Sequence, residues 1–423
     1  MSSRPALNLI ALACVGMLSA CDGSSTDAAP SGGEGADAGE GGEGGEGGDG
    51  GEGGDGGEHL DGSSATDAGA LDAGGADASG CGDCEADCGP CTEYFDDTHL
   101  SIDDYSAVED LSAHEPVYVP YTWDVQSDTA LDCRGGAFMV ANSKNDTGAD
   151  CDVGTLPINE YPLDVKTKDS IAVVGGIIYS AIPLETDWQL AYCNSAAFLL
   201  RESHSSILDG MRITGAWDAI RPAWDAPDFI VVNNWVSNVR DDFVENDEYQ
   251  PMEIRDNLVD GTFQGISIRN DTKPGDFSNV TVKVSANVIR IQSFLYKGNH
   301  KFGAIFKRAS DLQPTTTVYN TVVAVDSSTD STFEDAWKYT WTSITDCDNN
   351  ELLWLSDDDL PSAMRLDLMP SCFTVHQGQA ARDRWQAAKT NWIDCHPRLQ
   401  RLDTDPVSTP ASCVPNEFGG FGN

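Results

Sequence analysis

The feature that most constrains this chain is a register that repeats between residues 207 and 268. Three segments align: Ile207-Leu-Asp-Gly-Met-Arg-Ile, Val231-Val-Asn-Asn-Trp-Val-Ser and Ile254-Arg-Asp-Asn-Leu-Val-Asp. Gly210, Asn234 and Asn257 fall at one position, 24 and 23 residues apart. Further along each copy stand Asp218-Ala-Ile, Asp242-Phe-Val and Gly265-Ile-Ser, again 24 and 23 apart. A unit this short cannot bury an apolar face alone, so successive copies must stack. Short apolar runs, Gly and Asn corners and the lack of a helical period predict an all-β chain wound as a parallel β-helix. Adjacent coils of such a stack lie about 4.8 Å apart, which sets Asp218 one coil from Asp242.

The register extends outward. Ile171-Ala-Val-Val-Gly-Gly-Ile-Ile-Tyr reads as an early coil with a glycine corner, and Ala196-Ala-Phe-Leu-Leu stands 22 residues before Asp218-Ala-Ile. Met211, Trp235 and Leu258 share a position and are expected inside the stack. Asn234 and Asn257 are expected at a corner, because asparagine tolerates a left-handed backbone. Stacked amides there resemble the asparagine ladder of right-handed β-helix proteins such as the pectate-lyase-like group. The resemblance implies a right-handed solenoid and a ladder continuing at Asn287, Asn320 and Asn350, spaced 30, 33 and 30. Coils that long carry insertions, which loop out on one side of a stack and there build a working groove. Ala381, Trp385, Ala388 and Trp392 repeat at helical spacing, so Gln379–Asp394 should form a helix over or capping the stack, its tryptophans in the core.

The amino-terminal part follows different rules. Arg4, the apolar run Leu7 to Leu18 and Leu18-Ser19-Ala20-Cys21 have the layout of a signal peptide over residues 1–20, too short to span a bilayer. The tetrapeptide resembles the bacterial lipobox, which implies a lipidated Cys21 and a lipid anchor in the cell envelope, with the outer membrane or cell surface favoured. Residues 22–80 carry 15 Asp or Glu and no Lys or Arg, with acids at every third position between glycine pairs. Such a segment cannot form a core. It is expected to be a disordered linker over 21–80 with a reach of roughly 45 Å. The formal charge of -44 excludes nucleic acid as a partner, since no basic stripe can neutralise phosphates. Residues 93–423 are expected to form the solenoid domain, as a monomer.

Eleven cysteines follow Cys21, and an exported chain matures under oxidising conditions. Cys81, Cys84, Cys88 and Cys91 are expected to form a small knot over residues 81–92, with a metal cluster as the alternative. Cys133 with Cys151, and pairs among Cys347, Cys372, Cys395 and Cys413, are further disulfide candidates whose connectivity spacing does not decide.

Chemistry concentrates in Asp241-Asp242-Phe-Val-Glu245-Asn-Asp247. Stacked carboxylates cannot all ionise freely, so one pKa should rise, and paired carboxyls suit glycoside hydrolysis. Ala216-Trp217-Asp218, Arg240-Asp241-Asp242 and Phe263-Gln264-Gly265-Ile266-Ser267-Ile268 stand on three successive coils. They resemble, in order and register, the three motifs of polygalacturonase-type β-helix glycosidases. The resemblance implies Asp242 as general acid, with Asp218 and Asp241 activating water for inversion. Gln264 stands where that family has histidine, and Arg269 where it has glycine. Trp217 and Trp224 are candidates for stacking on sugar rings. Arg221, Glu245, Gln264 and Arg269 are candidate ligand contacts, with an Arg221–Glu245 pair across coils as the alternative for those two. No metal ligand set stands out. Calcium enters only through the lyase alternative or through the acid runs at 346–351 and 357–359. Two functional classes result. A non-catalytic scaffold that binds glycan or a partner is favoured over an enzyme acting on polysaccharide, hydrolase before lyase. The enzyme reading requires all three aspartates to open into one groove.

Overall fold

The computed structural model describes residues between 102 and 399, apart from 115–121, 141–160, 189–195 and several shorter stretches. The signal segment, Cys21, the linker, the Cys81 to Cys91 cluster, Cys151 and Cys413 lie outside the described residues.

The described chain is an all-β parallel solenoid. One wall is a nine-stranded parallel sheet running from Ala107–Asp110 through Thr129–Asp132, Ile207–Asp209, Phe229–Val232 and Met252–Arg255 to Ile344–Asp348. Two further walls belong to a fourteen-stranded sheet. They merge at the long strand Trp235–Glu245, whose start pairs with Arg212–Thr214 and whose end pairs with Ile220. Apolar residues of all three walls meet in one continuous core, from Leu131 and Phe138 through Leu208, Ile254 and Ile289 to Trp354. The early coils lie where the sequence places them: Ile171–Val174 and Ile177–Ser180 flank Gly175-Gly176, and Phe198 pairs with Ile220.

The corner differs from expectation by one residue. The left-handed column is Gly175, Gly210, Asn233, Asp256, Ala286, Asn320 and Asn349, with φ from 49° to 73°. Asn234 and Asn257 stand one place later, level with Met211, because Arg212 pairs with Trp235 and Trp235 with Leu258. The step there is therefore 23 residues twice. The extra residue of the second coil enters between Ser237 and Val244, since Thr214 pairs with Ser237 but Ile220 with Val244. The ladder itself is real. Asn234 Nδ2 donates to Asn257 Oδ1 at 3.0 Å, and Asn257 Nδ2 to Asn287 Oδ1 at 2.9 Å. At the next coil Thr321 takes the place expected for Asn320, and its N–H donates to Asn350 Oδ1 at 2.9 Å.

Met211 is inside the stack, whereas Trp235 and Leu258 belong to a second core outside it. That core forms against a helix, Gly378–Cys395, which buries Ala381, Trp385, Ala388 and Trp392 as its spacing predicts. The shift of Trp235 follows from the corner correction, since one step along a strand changes the face. Arg384 pairs with Glu351 at 2.5 Å and Trp392 Nε1 donates to Asp256 Oδ1 at 3.0 Å, and both contacts fix the helix along the wall.

One disulfide is present among the described residues, Cys347–Cys372. Cys133 is a buried thiol in the stack interior. That position corrects its expected bond across a surface loop, because an inward side chain cannot reach one. Cys395 is also a buried thiol, pushed up to about 12 by burial first and then by Asp256 and Asp394.

Candidate functional site

The insertions in the longer coils fall on one side of the stack and wall a cleft of about 1020 Å³. The first insertion is an antiparallel hairpin, Phe294–Tyr296 with Asn299–Lys301, followed by the short strand Phe306–Lys307, which pairs with Ile266–Ser267. The second ends in a helix, Glu334–Ser343. Tyr296, Lys307 and Arg308 of the first and Phe333, Glu334 and Tyr339 of the second line the cleft, and the two insertions meet where Tyr296 and Phe333 touch edge to face at 5.8 Å. The long strand supplies Asp241 and Glu245, at and beyond a register shift between Val239 and Asp242. Such irregularities re-aim side chains within a sheet.

Asp218 and Asp242 stack as the spacing predicts: the Asp242 N–H donates to Asp218 Oδ1 at 3.1 Å. Oxygens of Asp218, Asp241 and Asp242 all lie within 4.8 Å of one another. The three do not share one exposure. Asp241 reaches the cleft, while Asp218 and Asp242 lie beneath its lining, 1% and 0% exposed. Lys307 caps Asp242. Its Nζ donates to Asp242 Oδ2 at 2.8 Å and reaches Asp241 Oδ2 at 3.4 Å. Gln264 Nε2, at the position of the family's histidine, donates to Asp241 Oδ1 at 3.4 Å.

Burial raises the Asp218 carboxyl well above the usual range, helped by Glu245, Asp241 and Asp242. Burial and Asp241 raise Asp242 too, against the pull of Lys307. Burial also raises Glu245, while Arg221 opposes it. Asp218 Oδ2 and Asp242 Oδ1 receive no N–H or hydroxyl donor; the Asp218 carboxyl is best satisfied with its own proton, whereas Asp242 has the Lys307 ammonium on Oδ2. Glu245, which adds to the rise at Asp218, pairs with Arg221 at 2.8 Å. Burial disfavours the Lys307 ammonium, but Asp241 and Asp242 outweigh it and raise its pKa well above the ordinary value. Calcium does not fit this cluster. It needs six to eight oxygens in an open shell, whereas here two carboxylates are sealed and the ammonium already supplies the positive charge.

The other candidates divide. Trp217, Arg221, Glu245, Gln264 and Arg269 line the cleft. Trp224 does not: it is 53% exposed and lies under the Arg201 guanidinium, 5.0 Å from the ring centre. Of the acid runs further on, Glu351 is held by Arg384 and Asp346 accepts from the Tyr319 hydroxyl at 2.6 Å.

The cleft also has an aromatic wall that the repeat did not reveal. Trp188 lies 4.6 Å from Trp217 and 5.0 Å from Tyr296, and Tyr296 stacks on Phe263 at 5.6 Å with planes 6° apart. Lys307, Trp188, Tyr296 and Phe333 stand in or beside insertions, where no repeat assigns a position. Chemically the site can hold polyhydroxylated rings: aromatic faces on one side, carboxylates and guanidinium groups on the other, and a neutralised acid cluster behind. Comparison with protein-family models, with curated proteins and with solved structures finds no match to this chain.

Proposed function

We propose that this protein is a lipid-anchored β-helix lipoprotein of the bacterial cell envelope that binds glycan in its cleft without turning it over. The observation that carries the reading is the pairing of an aromatic wall with a polar floor whose deepest carboxyls are closed off. Sugar rings stack their C–H faces on aromatic side chains. Their hydroxyls find acceptors in Asp241, Glu245 and Asp247 and donors in Arg221 and Gln264, all in the lining. Asp242 is capped by Lys307, and Asp218 is buried outside the lining, so neither is in reach of a glycosidic oxygen. One oxygen of each of the three aspartates lies within 4.8 Å of the others, a tight cluster, whereas an inverting hydrolase holds its two carboxyl groups roughly 6.5–9.5 Å apart to leave room for water. Both facts support binding over the polygalacturonase-like reaction.

A screen on acidic and neutral polysaccharides for new reducing ends and unsaturated products tests this directly. The expected result is retention of oligosaccharide with no product. Turnover abolished by Asp241→Asn or Glu245→Gln would establish the hydrolase instead. The anchor is tested by fractionation. The intact chain should follow membranes, and Cys21→Ser should release it.

A further inference from the structure

We infer that the cleft takes sugars bearing no acidic group and rejects uronates. The inference rests on the glycan reading above and concerns charge. A uronate carboxylate is held most strongly by a charge-assisted, bidentate contact to a cation, which a cation already neutralised by a protein carboxylate supplies less well. Four basic side chains line the cleft: Arg221, Arg269, Lys307 and Arg308. Arg221 is held by Glu245 at 2.8 Å and by the Tyr161 hydroxyl at 3.3 Å. Lys307 is held by Asp242 and Asp241. The Arg308 guanidinium donates to the carbonyls of Pro314, Gln313 and Ser310, and Arg269 is engaged within the protein as well. Lys297 and Lys301 rest over the rings of Tyr296, Trp188 and Phe333 and are not part of the lining.

Acids dominate what is left. Asp247 accepts from the Ser267 hydroxyl at 2.7 Å, and it lines the cleft together with Asp335 and with Glu334, which pairs with Arg365 at 3.3 Å. The amino end of the Glu334–Ser343 helix, where a partial positive charge could attract an anion, carries those two acids in its first turn. Asp335 forms no ion pair among the described residues. The surrounding field has the same sign: residues 95–423 carry 50 Asp and Glu against 24 Lys and Arg. A carboxylate entering this cleft meets like charge, and such juxtaposition excludes wrong partners. Uncharged hydroxyls meet acceptors instead.

The test uses the full chain and matched probes. Galacturonate and glucuronate oligomers are compared with their carboxyl-reduced counterparts by titration calorimetry at low and high salt. Each reduced oligomer has the same backbone, so only the charge differs. The reduced form of at least one pair should bind roughly tenfold tighter or more at low salt, and added salt should shrink the gap by screening. Glu334→Gln with Asp335→Gln should narrow the gap by roughly threefold or more. Equal or tighter binding of the uronate form at low salt overturns the inference and leaves the glycan reading standing. A gap that persists unchanged in the double variant and in high salt also overturns it, because charge would not be the cause. Binding of neither form of either pair overturns the glycan reading itself.

Discussion

Lys307→Met would take the ammonium from between Asp241 and Asp242 and leave two buried carboxyls facing each other. Breaking a buried charge pair by removing one partner costs about 3–5 kcal/mol, and urea denaturation near pH 8 should show a loss of that size. Near pH 4.5 the loss should be smaller, because Asp242 then carries its own proton. Asp218 gives a second pH signature. Its native pKa lies above its unfolded value, so the native chain binds more protons than the unfolded chain above about pH 4. Its contribution is fully present below that pH and is lost as pH rises through the raised native value. Asp260 works the other way. Burial would raise it, but Arg290 and Lys389 outweigh burial and hold it low, so its contribution is lost as pH falls. Asp218→Asn should therefore flatten the decline of Tm between pH 4.5 and 8 relative to the parent chain. A parallel Tm profile in the variant would show that Asp218 is not held protonated. The three aspartates were legible in the sequence because each stands in a repeating coil. Lys307 was not, because a hairpin insertion separates it by 40 residues from Ser267, the residue it pairs with.

At the scale of one coil the corner decides what is tolerated. Seven successive coils place one residue in the left-handed region, and the column holds glycine, asparagine, aspartate and a single alanine, Ala286 at φ 54°. A Cβ in that conformation costs roughly 1–2 kcal/mol. Ala286→Gly should recover about 1 kcal/mol in chemical denaturation; a loss of stability would mean that the methyl group packs more favourably than the backbone is strained. The asparagine columns show how sequence can mislead by one residue. A corner asparagine and a ladder asparagine both look like a conserved-spacing polar residue in an apolar run, and Asn233-Asn234 offers one of each side by side. Only the apolar face of the following residues separates them. Asn320 illustrates the same ambiguity, since a threonine can replace the ladder amide but only a residue tolerant of positive φ can hold the corner.

For the whole molecule, the coils supply the frame and the insertions supply the cleft. The frame was readable because stacking imposes a fixed period; the cleft was not, because its walls are the residues that break that period. Stability should be distributed accordingly. In a stack each coil contacts its neighbours, so cross-links near an end protect that end. Cys347–Cys372 closes a separation of 25 residues between late strands. Replacing both cysteines by alanine should cost about 2–4 kcal/mol. Hydrogen exchange should show the loss first in Ile344–Trp354 and Phe373–Gln377, with the coils at the other end of the stack, around Ala107–Asp110 and Thr129–Asp132, affected last.

The helix Gly378–Cys395 covers Trp235, Leu258, Val288, Val322 and Leu353, one apolar residue from each of five coils. Those coils precede the helix in synthesis. While the chain is being made, they can wind into a stack whose outer strip stays bare until the helix arrives. The strip is then a greasy seam waiting for its own chain, and any stop before residue 378 would leave it permanently uncovered. Folding of this protein should therefore benefit from a chaperone that shields the seam, and truncated products should aggregate although their coils are intact.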